Sequence, residues 1–219
     1  MPKSIAIDGP AGAGKSALGK SLAEKFNYIY VNTGALYRTI GFYVLQKYDA
    51  YDEEDVKVAL KEIKLEQQLI DGQTQIYLNK EDVSNAIGSE KVSMAASYVS
   101  GFKSVRDFLL DLQRHTAKCH DVVMDGRDIG TVVLPNADFK LFLTASCEIR
   151  AERRMLQLKH KGQIVDYNEI LQKIQERDYN DMNRPIAPLK MAKGAVLFDN
   201  SEKTFAETVE EVYKLVKWA

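Results

Sequence analysis

A glycine-rich octapeptide limits the fold of this chain more than any other feature of its sequence. It is GPAGAGKS, at residues 9–16. The short apolar run before it, residues 4–7, predicts a buried strand, and residues 14–26 after it predict a helix with apolar side chains four positions apart. A strand, a tight glycine loop and a helix in this order predict a chain that alternates strands and helices around a parallel sheet.

The octapeptide fits the Walker A pattern, in which two glycines with four residues between them precede a lysine and a hydroxyl residue. Glycines allow a tight turn whose N–H groups face phosphate oxygens, and the N-terminus of the next helix adds positive potential. Lys15 is predicted to bridge the β- and γ-phosphates, and Ser16 to bind Mg²⁺. The predicted ATP- and Mg²⁺-binding segment is Gly9, Pro10, Ala11, Gly12, Ala13, Gly14, Lys15, Ser16 and Ala17.

The rest of the chain continues the alternation. Further strands are predicted at residues 28–31, 122–124, 139–143 and 195–198, and helices at 35–46, at 92–118, and from 146, 166 and 204 onward. We therefore expect one P-loop domain over residues 1–219, a doubly wound three-layer α/β fold with about five parallel strands. The composition, 45% hydrophobic and 28% charged, is that of an ordinary globular chain.

One segment breaks the alternation. Residues 65–70 and 73–78 predict the two strands of a β-hairpin, joined by Asp71-Gly72. We take residues 63–90 as an inserted, β-rich subdomain.

Charge and cysteine content limit the partners. The formal net charge is −1, which gives no overall attraction to a nucleic-acid polymer or a membrane surface. The two cysteines have no metal-site or disulfide spacing, and the N-terminal residues have no apolar leader. A cytoplasmic protein whose partners are small molecules is the expectation.

A Walker A motif is shared by kinases, GTPases and ATP-binding regulatory modules. Residues 79–82 spell NKED, which fits a guanine-reading N-K-x-D, but no D-x-x-G lies between the Walker A motif and this site. Six of the nine arginines fall within residues 127–184, and the planar fork of arginine suits phosphate. A regulatory module would not need such a second phosphate site, so a small-molecule kinase is favoured over both alternatives.

Several longer motifs resemble those of bacterial cytidylate kinases over nearly the whole chain. Besides residues 4–16 they are NTGALYR at 32–38, MDGRDIGTVVLP at 124–135, RMLQL at 154–158, ERD at 176–178, Asp181, NR at 183–184 and APL at 187–189. Asn32 stands where an acid is usual. The resemblance implies transfer of phosphate from ATP to CMP or dCMP by a monomer, with UMP a weaker acceptor.

The resemblance also assigns residues. Lys15, Arg127, Arg154 and Arg184 would be catalytic, with Arg154 reaching ATP from a lid at residues 153–165. The acceptor side would comprise Thr33, Tyr37, Arg38, Ser97, Arg106, Arg127, Asp128, Arg177, Asp181 and Arg184. Within that set, Arg38, Arg127 and Arg184 would hold the acceptor phosphate, Arg177 and Asp181 the ribose, and Ser97, Arg106 and Asp128 the base.

Three further charged residues have expected positions of their own. Asp125 is a candidate Mg²⁺ ligand through water, with a capping or ion-paired aspartate as the alternative. Arg150 and Arg153 are predicted to lie at the surface.

Overall fold

The computed structural model describes residues 2–70, 73–160 and 162–217. Its strands are β1 Ser4–Asp8, β2 Ile29–Asn32, β3 Leu65–Ile70, β4 Gln73–Leu78, β5 Glu81–Asp82, β6 Val122–Gly126, β7 Phe139–Thr144 and β8 Val196–Asp199. Five of them form one parallel sheet in the order β2-β6-β1-β7-β8, which confirms the predicted central sheet.

The helices are α1 Lys15–Phe26, α2 Thr33–Lys47, α3 Glu53–Leu60, α4 Glu90–Val99, α5 Lys103–Cys119, α6 Cys147–His160, α7 Tyr167–Asn183 and α8 Phe205–Lys217. A 3₁₀ turn lies at Ala86–Gly88 and a π-helical turn at Ile129–Val133. Two of the helices begin with capping contacts. Asp166 accepts the N–H groups of Asn168 and Glu169, and Thr204 and Glu207 each accept the backbone N–H of the other. No helix within the described ranges is long and apolar enough to cross a membrane.

Apolar side chains cover both faces of the sheet. In β1, Ile5 and Ile7 face a core shared with α1 and α8, whereas Ala6 lies in a second core with Met124 and Ile129. Alternate strand residues point to opposite faces, so a strand that is apolar at every position must be covered on both. The fold therefore has three layers, as the sequence predicts.

The hairpin builds a separate antiparallel sheet, β3-β4-β5. Its strands β3 and β4 span the predicted residues, while the predicted Asp71-Gly72 turn lies outside the described residues. Ile76 and Leu78 of β4 are buried in a third core formed with α2, α3, α4 and α5. Asn79 and Lys80 have left-handed backbones in the turn from β4 to β5, so the N-K-x-D tetrapeptide is a hairpin turn outside the parallel sheet.

The prediction of one helix over residues 92–118 was wrong, because the chain forms α4 and α5 with a break between them. The hydroxyl of Ser100 donates to the carbonyl of Ser97 at 2.8 Å, and the N–H groups of Gly101 and Phe102 bond three residues back, to Tyr98 and Val99. These shorter bonds end α4, and glycine at position 101 opposes helix continuation. The apolar spacing of the two helices hides this break.

Candidate active site

A cleft of ≈ 200 Å³ lies at the carboxyl edge of the parallel sheet. The ends of β1, β2 and β6 open into it, as expected for a ligand site in an α/β fold. Its walls include these predicted residues: Ala11, Gly12, Lys15, Ser16, Thr33, Tyr37, Arg38, Ser97, Asp125, Arg127, Asp128, Arg177, Asp181 and Arg184. Four residues of the phosphate loop and most of the predicted acceptor residues therefore meet in one place.

The phosphate loop needs its glycines for steric reasons. A Cβ on Gly9 would lie 1.9 Å from the carbonyl oxygen of Leu143, which leaves no room for a side chain. Gly12 and Gly14 have φ angles of 79° and 92°, a region that other residues avoid. The helix α1 begins at once with Lys15, so its N-terminus faces the cleft.

Lys15 is only 5% exposed, and its Nζ donates to the carbonyl of Pro10 at 2.7 Å. Burial, together with the positive charge of Arg127, lowers the pKa of Lys15 well below its ordinary value. A buried cation beside other cations favours an anionic ligand.

Ser16 and Asp125 lie side by side, since the Ser16 hydroxyl donates to Oδ2 of Asp125 at 2.9 Å. The other carboxylate oxygen accepts the hydroxyl of Tyr30 at 2.7 Å, and the Asp125 carbonyl accepts the Thr33 hydroxyl at 2.7 Å. Tyr30, a buried residue of the core, thus also orients this carboxylate. A hydroxyl and a carboxylate next to the phosphate loop are the hard oxygen donors that Mg²⁺ requires.

Two arginines of the cleft carry unpaired Nε donors. The Nε atoms of Arg38 and Arg177 are buried and have no hydrogen-bond partner among the described residues. Burial lowers the pKa of both side chains, to about 10 for Arg177. Buried donors without acceptors are rare in folded proteins, so these two support a site for an oxyanion.

Arg127 is held at the end of β6 by Asp181 of α7. Its Nε donates to Oδ2 of Asp181 at 2.7 Å, and Nη1 of Arg184 lies 3.9 Å from Oδ1 of the same carboxylate. Burial acts to raise the pKa of Asp181, but the arginines outweigh it and hold that pKa below its ordinary value. Asp181 is therefore an ionised anchor for both arginines.

Asp128 and Arg106 form a buried pair behind the cleft. Oδ2 of Asp128 lies 3.2 Å from Nη2 of Arg106, and its Oδ1 lies 3.5 Å from Nη2 of Arg184. Arg106 also donates to the hydroxyl of Tyr37 at 2.9 Å, so it is not an exposed helix residue. Burial raises the pKa of Asp128, and that of Tyr37 to about 12. Arg106 does not itself line the cleft and contacts it through Asp128 and Tyr37.

Asp8 is a site residue that the sequence did not reveal. It ends β1 immediately before the phosphate loop, and its carboxylate accepts the N–H groups of Ile129 and Gly130, both at 2.7 Å. Arg127 and Asp128 directly precede Ile129, the first residue of the π-helical turn. Asp8 thus connects the phosphate loop to the segment that carries two acceptor-side residues.

The prediction that Arg150 lies at the surface was wrong. Its side chain is 3% exposed and makes an ion pair with Asp178 at 2.6 Å, because α7 packs over α6 at this point. Arg153 is half-buried and donates to Asn200 through both Nη atoms. Neither arginine is a solvated residue of a helix face.

Seven predicted residues do not line the cleft: Gly9, Pro10, Ala13, Gly14, Ala17, Arg106 and Arg154. Ala17 is exposed on α1, and Gly9 and Pro10 are buried. Arg154 faces a neighbouring cavity of ≈ 450 Å³ between α4, α6 and α7, where its Nη2 lies 2.7 Å from Oε2 of Glu90. Ala11 and Gly12 of the phosphate loop line the same cavity, so Arg154 lies near the loop but pairs with Glu90.

Asn32 has a structural role that needs no charge. Its side-chain oxygen accepts the N–H of Ala35 at 3.0 Å and caps α2. Asparagine is as good a cap as aspartate, so replacing the usual acid preserves the start of the helix.

Comparison with known proteins finds relatives that match nearly the whole chain. A cytidylate kinase from Caldicellulosiruptor bescii is 46% identical over 218 residues, covering 97% of this chain and 96% of that protein. One from Caldicellulosiruptor saccharolyticus is 47% identical over 212 residues, covering 96% and 94%. The structure of a gluconokinase from Sinorhizobium meliloti 1021 shares the fold, with a TM-score of 0.50 at 18% identity over 99% of this chain and 93% of the other. The sequence matches the cytidylate kinase family over residues 5–218, and the chain belongs to that family.

Proposed function

We propose that the protein transfers the γ-phosphoryl group of ATP to CMP, giving ADP and CDP, and that dCMP also serves as acceptor. The observation that carries this proposal is the meeting of two anion sites in one cleft. The phosphate loop with Lys15 forms one wall, and Arg38, Arg127 and Arg184 lie on the other. Two phosphate-bearing substrates repel each other, so their reaction needs cations on both sides.

The phosphate loop and Lys15 hold the donor. Backbone N–H groups of residues 11–16 bind the β- and γ-phosphates, and Lys15 moves from the Pro10 carbonyl to the phosphate oxygens. Ser16 and, through water, Asp125 hold Mg²⁺, which when bound neutralises charge on the phosphate oxygens. The described residues include no group of three or more His, Cys, Asp or Glu side chains suited to a metal ion. Oxygen atoms of phosphate and water would complete the ligand set that Mg²⁺ requires.

The arginines hold the acceptor phosphate. Arg38, Arg127 and Arg184 surround it, and the unpaired Nε of Arg38 supplies a donor that needs no rearrangement. Arg127 and Arg184 are kept in place by Asp181. Their charge stabilises the transferred group as negative charge spreads over its oxygens.

The ribose and base lie on the α7 and α4 sides of the cleft. Arg177 and Asp181 bind the ribose hydroxyls, and Thr33 and Tyr37 line the pocket. Asp128 accepts the cytosine amine, Ser97 lies beside it, and Arg106 holds the Asp128 carboxylate in place. UMP lacks that amine and is the weaker acceptor.

Two segments of the chain have separate roles in this reaction. Residues 63–90 form a subdomain on the acceptor side, and residues 153–165 form a lid that brings Arg154 to the ATP phosphates and excludes water. The protein acts as a cytoplasmic monomer on small-molecule nucleotides.

A coupled assay of ADP release tests the function. ATP is offered with CMP, dCMP, UMP, AMP or GMP in turn. We expect rapid turnover with CMP and dCMP, slower turnover with UMP, and little with the purines. Preference for a non-nucleotide acceptor would indicate another small-molecule kinase, and GTP turnover without an acceptor would indicate a GTPase.

A further inference from the structure

The carbonyl groups of the phosphate loop are held from outside the cleft by two side chains. The Ala11 carbonyl accepts Nη1 of Arg150 at 3.0 Å, and the Ala13 carbonyl accepts Nδ2 of Asn200 at 3.1 Å. Arg150 belongs to α6 and Asn200 follows β8, so neither is part of the loop that it contacts.

These contacts fix the direction of the N–H groups that follow. In a trans peptide unit the C=O and N–H bonds point in opposite directions, and no described peptide bond is cis. A carbonyl of Ala11 held outward therefore turns the N–H of Gly12 inward, and the Ala13 carbonyl does the same for Gly14. Glycines at these positions leave the loop with little conformational preference of its own.

Arg150 is itself firmly held. Its Nε donates to the Ala145 carbonyl at 2.9 Å, and its Nη2 lies 2.6 Å from Oδ2 of Asp178. The side chain is 3% exposed, and its Cβ lies 3.2 Å from where a Cβ on Gly12 would stand. The guanidinium is thus a rigid support beneath the Ala11–Gly12 peptide.

Asn200 is oriented in the same way by Arg153. The two Nη atoms of Arg153 donate to the side-chain oxygen of Asn200 at 3.0 Å and to its carbonyl at 2.8 Å. Because the amide oxygen is occupied, the amide nitrogen must face the Ala13 carbonyl. Asn200 is 5% exposed, so water does not compete for this contact.

We propose that Arg150 and Asn200 are positioning residues for the phosphate donor, because they turn the N–H groups of Gly12 and Gly14 toward its phosphates. The proposal rests on the kinase function above and concerns the donor only, since neither side chain lines the cleft on the acceptor side. Loss of either contact weakens donor binding and transfer and leaves CMP binding intact.

Two variants test this with MgADP and CMP as separate calorimetric probes. Asn200→Leu keeps the size of the side chain and removes the donor. Arg150→Met with Asp178→Asn removes the other donor without leaving a buried charge unpaired. We expect MgADP affinity to fall about tenfold in each, the effect of one hydrogen bond, while CMP affinity stays unchanged. Arg114→Met is the matched control, since Arg114 donates to the Val132 and Val133 carbonyls away from the loop.

The outcomes separate the possibilities. A residue that only stabilises the fold would lower the midpoint of thermal unfolding without this split between MgADP and CMP, and that result would overturn the proposal. Unchanged MgADP affinity in Asn200→Leu would also overturn it, even if the double variant fails to fold. A wild-type protein that binds MgADP but transfers nothing to CMP contradicts the kinase function instead, and the MgADP measurements still decide the role of Arg150 and Asn200.

Discussion

Nη2 of Arg154 lies 2.7 Å from Oε2 of Glu90, so one ion pair joins α6 to the N-terminus of α4 across the cavity beside the phosphate loop. The proposed role of Arg154 on ATP requires this pair to break when the lid closes.

Glu90→Gln should therefore tighten apparent ATP binding. An exposed ion pair contributes about 0.2–1 kcal/mol, so the KM for ATP should fall by up to about fivefold at low salt and hardly change at high salt. Hydrogen exchange of residues 153–165, with and without a bisubstrate analogue, reports lid closure in the same samples. Glu152→Gln, on the exposed side of α6, is the control, and equal exchange in both states would contradict a lid.

Lys15→Ala should abolish transfer and leave the fold intact. Lys15 is buried in a group of cations, so its removal relieves repulsion in the free protein while removing charge that the transition state needs. Turnover and thermal unfolding are measured on the same preparation. Lys20→Ala, on the exposed part of α1, should leave turnover unchanged, and near-normal turnover in Lys15→Ala would refute the assignment.

Arg38→Ala and Arg127→Ala should each lower transfer to CMP and to UMP by the same factor. Both side chains are proposed to contact phosphate, which the two acceptors share, and losing a charge-assisted contact costs about 1.5–3 kcal/mol. Steady-state rates with both acceptors provide the measurement. A changed preference for CMP over UMP with little loss of rate would exclude a phosphate role.

Asp128→Ala should reduce activity toward CMP far more than toward UMP. Only cytosine offers an amine to this carboxylate, and a polar mismatch in a buried site is worth a few kcal/mol. Both rates should fall somewhat, since Arg106 and Arg184 lose their partner. Asp128→Asn keeps the shape and one acceptor oxygen and should retain part of the selectivity, whereas equal losses for the two substrates would show that Asp128 does not contact the amine.

Asp8 should give stability a distinctive pH dependence. Burial raises the pKa of Asp8 from 3.8 to about 6 despite two backbone hydrogen bonds. The folded protein then binds the proton of Asp8 more tightly than the unfolded chain does. The stabilisation that results is present in full below pH 4 and is lost as pH rises through about 6. The free energy of unfolding of the wild type, relative to Asp8→Asn, should fall by roughly 3 kcal/mol over this interval. Denaturant titrations at a series of pH values provide the measurement, and a constant difference would contradict the raised pKa.

Local sequence signals predicted much of the fold. The loop at residues 9–16, the parallel strands and the arms of the hairpin depend on spacing and residue type within a few positions, and the structure confirms each. The break at Ser100 was missed because only one hydroxyl, which bonds to Ser97, and one glycine, Gly101, interrupt an otherwise regular apolar pattern.

The unpredicted contacts of the site are long-range. Asp8 bonds to Ile129 and Gly130, which lie 121 and 122 positions further along the chain. Arg150 and its partner Ala11 are 139 positions apart. An aspartate after a strand and an arginine on a helix carry no local sign of such partners. Only the folded chain reveals that Arg150 supports the phosphate loop and that Asp8 supports the segment after Asp128.

The break between α4 and α5 has a consequence for how substrate range can change during evolution. Ser97 lies before the break, and Arg106, with its buried partner Asp128, lies after it. Met94 and Tyr98 are exposed on the outer face of α4. A substitution there can therefore shift the part of the cleft wall that Ser97 forms without disturbing the Arg106–Asp128 pair. Relatives can then vary the cleft wall at Ser97 while the pair proposed to recognise the cytosine amine is retained.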